Sequence, residues 1–174
     1  MPFIALFSAH LSQRASAYGV LCRLVHKAAM RLRKQDVYAT AMAVGVYGER
    51  RHHGGEAREA RLGETQDTAY LLQVLDALWH TGLSALPAPK FVSIALHGLV
   101  PARGHTPSLF DTPAACATAQ PPPARDRARL YAAMDALNRV YGKNTLYFAS
   151  AHEALDAAPM RIAFNRIPDV QTEG

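Results

Sequence analysis

The sequence is poor in the features that mark self-contained catalysts and membrane proteins. Its 174 residues include only two cysteines, Cys22 and Cys116. They lie far apart and form no CxxC pair, so neither a disulfide framework nor a zinc site is indicated, and the usage fits a reducing cytoplasm. No apolar run approaches the ~20 residues of a membrane span. The opening MPFIALFSAH is short and lacks a basic n-region, so it reads as a first strand and not as a leader. No glycine-rich dinucleotide fingerprint is present, no serine sits in a nucleophile elbow, and no tight carboxylate cluster offers to hold two magnesium ions. GKNT at 142–145 ends like a phosphate-binding loop, but Leu137 stands where the first glycine belongs and Asn144 replaces the hydroxyl residue. HEALD at 152–156 begins like a zinc-protease helix, yet Asp156 occupies the place of the second histidine. His52 and His53 are neighbours in a charged turn and point apart, while His26, His80 and His97 read as surface or packing residues. The expectation is a chain that is not catalytic on its own and holds no metal or cofactor.

What is present begins with a core. Hydrophobic residues make up 49% of the chain, enough for one ordinary domain with an appendage. After the first strand, residues 16–35 carry Leu21, Leu24, Val25, Ala28 and Leu32 on one helical stripe. Residues 37–47 favour a strand, 48–55 a polar turn, and 56–62 the returning strand of a hairpin. Asp67 offers an N-cap to a helix bearing Leu71, Leu75 and Leu78, with Leu72 and Trp79 close by. Gly82 and the proline-containing segment 86–89 stop it, and 91–96 reads as a fourth strand. The order β-α-β-β-α-β predicts an α+β, ferredoxin-like fold with a four-stranded antiparallel sheet and two helices on one face. The other face is left open to solvent or a ligand.

Composition then changes. Residues 101–124 contain six prolines and read as a linker. Within it, HTPSLFDTP at 105–113 sets Leu109 and Phe110 side by side in polar surroundings. They either fold back onto their own domain or serve as anchors for a partner. A second unit follows, with Leu130, Met134, Leu137 and Tyr141 on one predicted helix stripe and Gly142 as its C-cap. Residues 145–148 suggest a strand. Ser150 and Glu153 are spaced as a capping box for a short helix to Asp156. The expected division is a first domain at 1–100, a linker at 101–124 and an accessory extension at 125–174. The extension is too small for a core of its own and must dock on something.

The net charge of +5 points to a polyanionic partner. Arg23, Lys27, Arg31 and Lys34 fall in one arc of the first helix. Arg50 and Arg51 sit in the hairpin turn, and Arg58 and Arg61 on the returning strand. Phosphate contacts need only such cations, hydroxyls and main-chain amides. Arg58 and Arg61 are separated by an odd number of residues, so only one of them faces the open side of the sheet. The aromatic pattern of RNA-recognition folds is absent, which disfavours reading of single strands by sequence. The plain alternative is an amphipathic helix with one solvated face, on a scaffold that serves protein interaction or small-ligand binding unrelated to DNA.

VLCRLVHKAAMRLRKQDVYATAMAV resembles the first helix and second strand of the little-finger domain of bacterial Y-family (ImpB/MucB/SamB-type) translesion DNA polymerases. EARLGETQDTAYLLQVLDALW is similar to the hairpin return and second helix of that domain, and VSIALHGLVP with PSLFD to its last strand and the peptide beyond. AAMDALNRVYGKNTLYFAS and APMRIAFNRIPD resemble the C-terminal extension of proteobacterial members. The resemblance implies a module that lays its sheet along primer-template duplex DNA and holds it by phosphates, in DNA repair and the SOS response. The family's magnesium-binding carboxylates belong to the catalytic palm, so it also implies a C-terminal portion without the polymerase active site, working in the cytoplasm at the nucleoid. Family members carry a sliding-clamp peptide after the little finger. Ser108, Leu109 and Phe110 lie at that place, with Thr106 in the position of the usual glutamine and Pro107 removing a backbone donor.

Overall fold

A computed structural model describes residues 5–10, 14–50, 53–85, 89–104, 124–142 and 145–154. The elements are β1 (Ala5–His10), α1 (Arg14–Lys34), β2 (Val37–Arg50), β3 (His53–Thr65), α2 (Thr68–His80), β4 (Phe91–His97), β5 (Val100–Pro101) and α3 (Ala124–Val140). Short 3-10 turns occupy Leu83–Ala85, Ala102–Gly104 and Ala149–Ala154. The expected β-α-β-β-α-β order is therefore present. The sheet runs β1-β4-β2-β3, with every pairing antiparallel. β4 slots between β1 and β2, and the return strand of the hairpin takes the edge.

Both helices cover one face of this sheet. Val92, Ile94 and Leu96 of β4 pair with Val46, Val44 and Met42 of β2, and all six are fully buried beneath α1 and α2. Leu21, Val25, Ala28 and Leu32 supply the stripe of α1, and Leu71 and Leu75 that of α2. Each such leucine or isoleucine stabilises the fold by roughly 2 kcal/mol through burial. Asp67 caps α2 as its position predicts, accepting a hydrogen bond from the Tyr70 amide at 3.1 Å.

The hairpin strands run further than the polar composition of 48–55 suggests. Arg50 still pairs with His53, after a register shift beyond Tyr47. Polar composition there therefore does not end the ladder. A second shift, between Ala39 and Ala41, exchanges the faces of β2, so that Ala39 belongs to the core while Ala41 turns to the opposite side. β5 was not expected. It pairs with Val37 and Tyr38 after a bend at Gly98, whose φ of 63° lies in the left-handed region. The Thr40 hydroxyl donates to the Gly98 carbonyl at 2.9 Å and fills the space a β-carbon would take.

The described part of the extension docks on the helical layer, with the phase of α3 opposite to the apolar stripe. Leu130, Leu137 and Tyr141 are 52%, 40% and 71% exposed, whereas Tyr131 is buried. The reason is a polar latch. The Arg33 guanidinium binds Asp135 through Nε at 2.7 Å and Nη2 at 3.0 Å, and Nη1 donates to the Gln66 carbonyl and the Thr68 hydroxyl. Tyr131 donates to Asp67 Oδ1 at 2.7 Å and accepts from the Ala69 amide, while its ring lies under Arg33. Burial and the Asp67 hydrogen bond push the Tyr131 phenol up to about 12. Arg127 Nε lies 3.0 Å from Asp67 Oδ2 but is not aligned as a hydrogen bond. Residues 145–148 form no strand. The Asn138 side chain both donates to the Leu146 carbonyl and accepts from its amide, taking the place of a strand partner. Ala149–Ala154 then packs on α1 and buries Ala151 in the core, with the Ser150 hydroxyl hydrogen-bonded to Cys22. α1 is thus covered on two sides.

Candidate functional site

The face of the sheet away from the helices is built from every second residue of its strands, with Leu6, Ser8 and His10 of β1 in register with Ala95, Ser93 and Phe91 of β4. On β2 these are Ala41, Ala43, Gly45 and Tyr47. Opposite them stand Arg61, Glu59, Ala57 and Gly55 on β3, and His97, Ala95, Ser93 and Phe91 on β4. Small residues form the floor. Tyr47 and Phe91 close one end, and Arg61 stands at the other. His97 Nε2 reaches Glu59 Oε1 at 3.4 Å across the strand between them. No described element lies over this face, because α1, α2, α3 and Ala149–Ala154 all pack on the opposite side.

This register answers which arginine of β3 faces outward. Arg61 pairs with Ala41 and belongs to the open face, exposed and without an ion-pair partner among the described residues. Arg58 pairs with Val44, lies on the helical side and binds Glu56 at 2.8 Å. The α1 cations lie in the helical layer and not on the open face. Arg23 is only 7% exposed there, Lys27 and Arg31 are half-buried, and Lys34 is exposed. The helical layer buries Arg23, which its place in a charged arc does not signal. Arg50 lies at the hairpin end, where its backbone pairs with His53. Arg51 and the peptide Thr106, Pro107, Ser108, Leu109 and Phe110 lie outside the described residues. The candidate cations therefore do not form one surface. Tyr47 and Ser93 are open-face residues that charge and motif do not single out. The Tyr47 ring reaches back from the end of the face over Gly45, opposite Ser93. Two-residue alternation from Val44 and Ile94 is the signal that points to both residues.

Among the described residues, no three His, Cys, Asp or Glu side chains converge to hold a metal ion. The carboxylates are dispersed instead, with Asp67 at a helix cap, Asp135 on Arg33, Asp76 on Tyr18 and Glu59 on His97. Among the same residues no helix is long and apolar enough to cross a membrane.

A two-layer α+β module with one helical face and one open, small-residue sheet face is the class this fold defines. Residues 6–109 match the family model described as the impB/mucB/samB family C-terminal domain, and the chain belongs to that family. This is the C-terminal domain of Y-family polymerases, which work in translesion synthesis and DNA repair. No curated protein matches the chain.

Proposed function

We propose that the open sheet face grips the sugar-phosphate backbone of primer-template duplex DNA without reading bases, as a processivity module of a lesion-bypass polymerase. The observation that carries this reading is that the described part of the extension docks on the helices and that no described element lies over the sheet face. A floor of alanines at Ala41, Ala43, Ala57 and Ala95 lets a backbone approach closely, and Arg61 supplies charge at its edge. Sequence-tolerant contact suits a damaged template, because phosphates carry no base information.

A duplex titration tests it. If about three phosphates are neutralised, affinity falls roughly 40-fold between 50 and 200 mM salt. Arg61→Ala lowers the salt slope by about one unit, and Arg58→Ala, on the other face and paired with Glu56, leaves it unchanged. Salt-independent binding, or equal effects of the two substitutions, overturns the reading. In the same reading Ser108, Leu109 and Phe110 engage the sliding clamp, with the two apolar side chains as anchors. Leu109→Ala with Phe110→Ala then abolishes clamp capture and spares DNA affinity. Clamp capture by that double variant discards the peptide assignment.

A further inference from the structure

Two glycines of the open face need an explanation that backbone conformation does not supply. Gly45 and Gly55 sit in paired strands, and neither has a positive φ. Glycine in a strand interior sacrifices conformational entropy and packing, and often marks a close approach of another group. Here the group is the ring of Tyr47. A β-carbon on Gly45 would lie 2.6 Å from Tyr47 Cε2, and one on Gly55 would run into Cδ1 and sit 3.0 Å from Cε1. The ring lies flat on the sheet, in the room left by two missing side chains.

That seat brings two hydroxyls together. The same point above Gly45 lies 2.7 Å from Ser93 Oγ and in contact with Tyr47 Oη. Ser93 faces Gly45 directly across the β2–β4 ladder. Among the described residues neither hydroxyl makes a hydrogen bond, and Ala43, Ala57 and Ala95 beside them offer none, while Ser8 of β1 pairs with Ser93 on its other side. The amides of these central strands are occupied by the ladder, so donors here come from side-chain hydroxyls, those of Tyr47 and Ser93 among them. Arg61 pairs with Ala41, four residues or roughly 13 Å along β2 from Gly45.

We infer that the Tyr47 and Ser93 hydroxyls form a charge-neutral seat for one phosphodiester of duplex DNA, with Gly45 and Gly55 as the notch that holds the ring down. The inference rests on the duplex-binding reading and names a positioning site within it. Neutral donors add affinity without displacing counterions, so their loss has a signature that loss of a cation lacks.

The experiment uses the full chain and a primer-template duplex over 50–200 mM salt, with thermal unfolding as a control for folding. Tyr47→Phe combined with Ser93→Ala is expected to bind roughly tenfold more weakly at every salt concentration, with the salt slope unchanged. Gly45→Ala keeps both hydroxyls but lifts the ring, and is expected to weaken binding in the same way. Wild-type affinity in the double variant, while Arg61→Ala still lowers the slope, overturns this seat and leaves the duplex reading standing. A variant that loses only single-strand binding also overturns it, in favour of base stacking on the ring. Failure of the wild-type chain to bind duplex in a salt-dependent way removes the reading beneath it.

Discussion

Arg33→Ala is expected to destabilise the protein by roughly 2–4 kcal/mol and to free the extension from the helical layer. One guanidinium joins three elements, with Asp135 of α3 bound twice, the Gln66 carbonyl and the Thr68 hydroxyl at the start of α2, and the Tyr131 ring 5.1 Å from its central carbon. Its side chain is 16% exposed, so the pair is shielded from solvent and its loss is not a surface effect. Alanine strands the Asp135 carboxylate at an interface and leaves two acceptors beside α2 without their donor. Asp135→Ala costs less, since Arg33 keeps Gln66 and Thr68. Arg33→Lys does not restore the wild type, because a point-like ammonium lacks the planar fork that the bidentate contact uses. Urea unfolding reads the stability, and limited proteolysis within 124–154 reads the release. A change below about 0.5 kcal/mol, with no gain in cleavage, discards the latch.

Acid is the second lever on the same interface. His26 lies on α1 beneath Phe148, with ring centroids 5.1 Å apart and Nε2 buried without a hydrogen bond among the described residues. Burial first, and the charge of Arg33 second, lower its pKa to about 4, against an opposing pull from Asp135. The native imidazole therefore stays neutral down to about pH 4, whereas the unfolded chain takes up a proton near 6.5. Unfolding binds a proton in that window, so this contribution is complete above pH 6.5 and is lost as the pH falls towards 4. The loss is on the order of 2–3 kcal/mol. His26→Gln removes the titration, so the stability difference between wild type and variant should shrink by that amount as the pH falls from 7 to 4. A difference that stays constant from pH 7 to pH 4 counts against a buried neutral histidine. The two predictions are coupled, since Arg33→Ala also removes a charge that keeps His26 unprotonated.

Local signals read well wherever one physical requirement ruled a segment. Apolar periodicity located α1, α2 and β4, and the carboxylate of Asp67 announced the start of its helix. They read poorly at α3. A stripe through Leu130, Leu137 and Tyr141 has the right period for burial, yet these residues face outward while Tyr131 and Asp135 face in. Periodicity predicts that a helix has two faces, but which face meets a neighbour depends on what that neighbour offers. Here α1 offers Arg33, and α2 offers Asp67.

Strand and helix order, the capped start of α2 and the membership of the central core follow from short-range pattern, because hydrophobic spacing and capping act within a few residues. Packing between distant segments settled the rest. It put β4 between β1 and β2, turned Arg61 to the open side and Arg58 to the helical one, buried Arg23 in the helical layer, and laid Tyr47 across two glycines. Each of these depends on register or on contact between residues far apart in the chain, and the free energy of such contacts belongs to the pair and is not written in either segment alone.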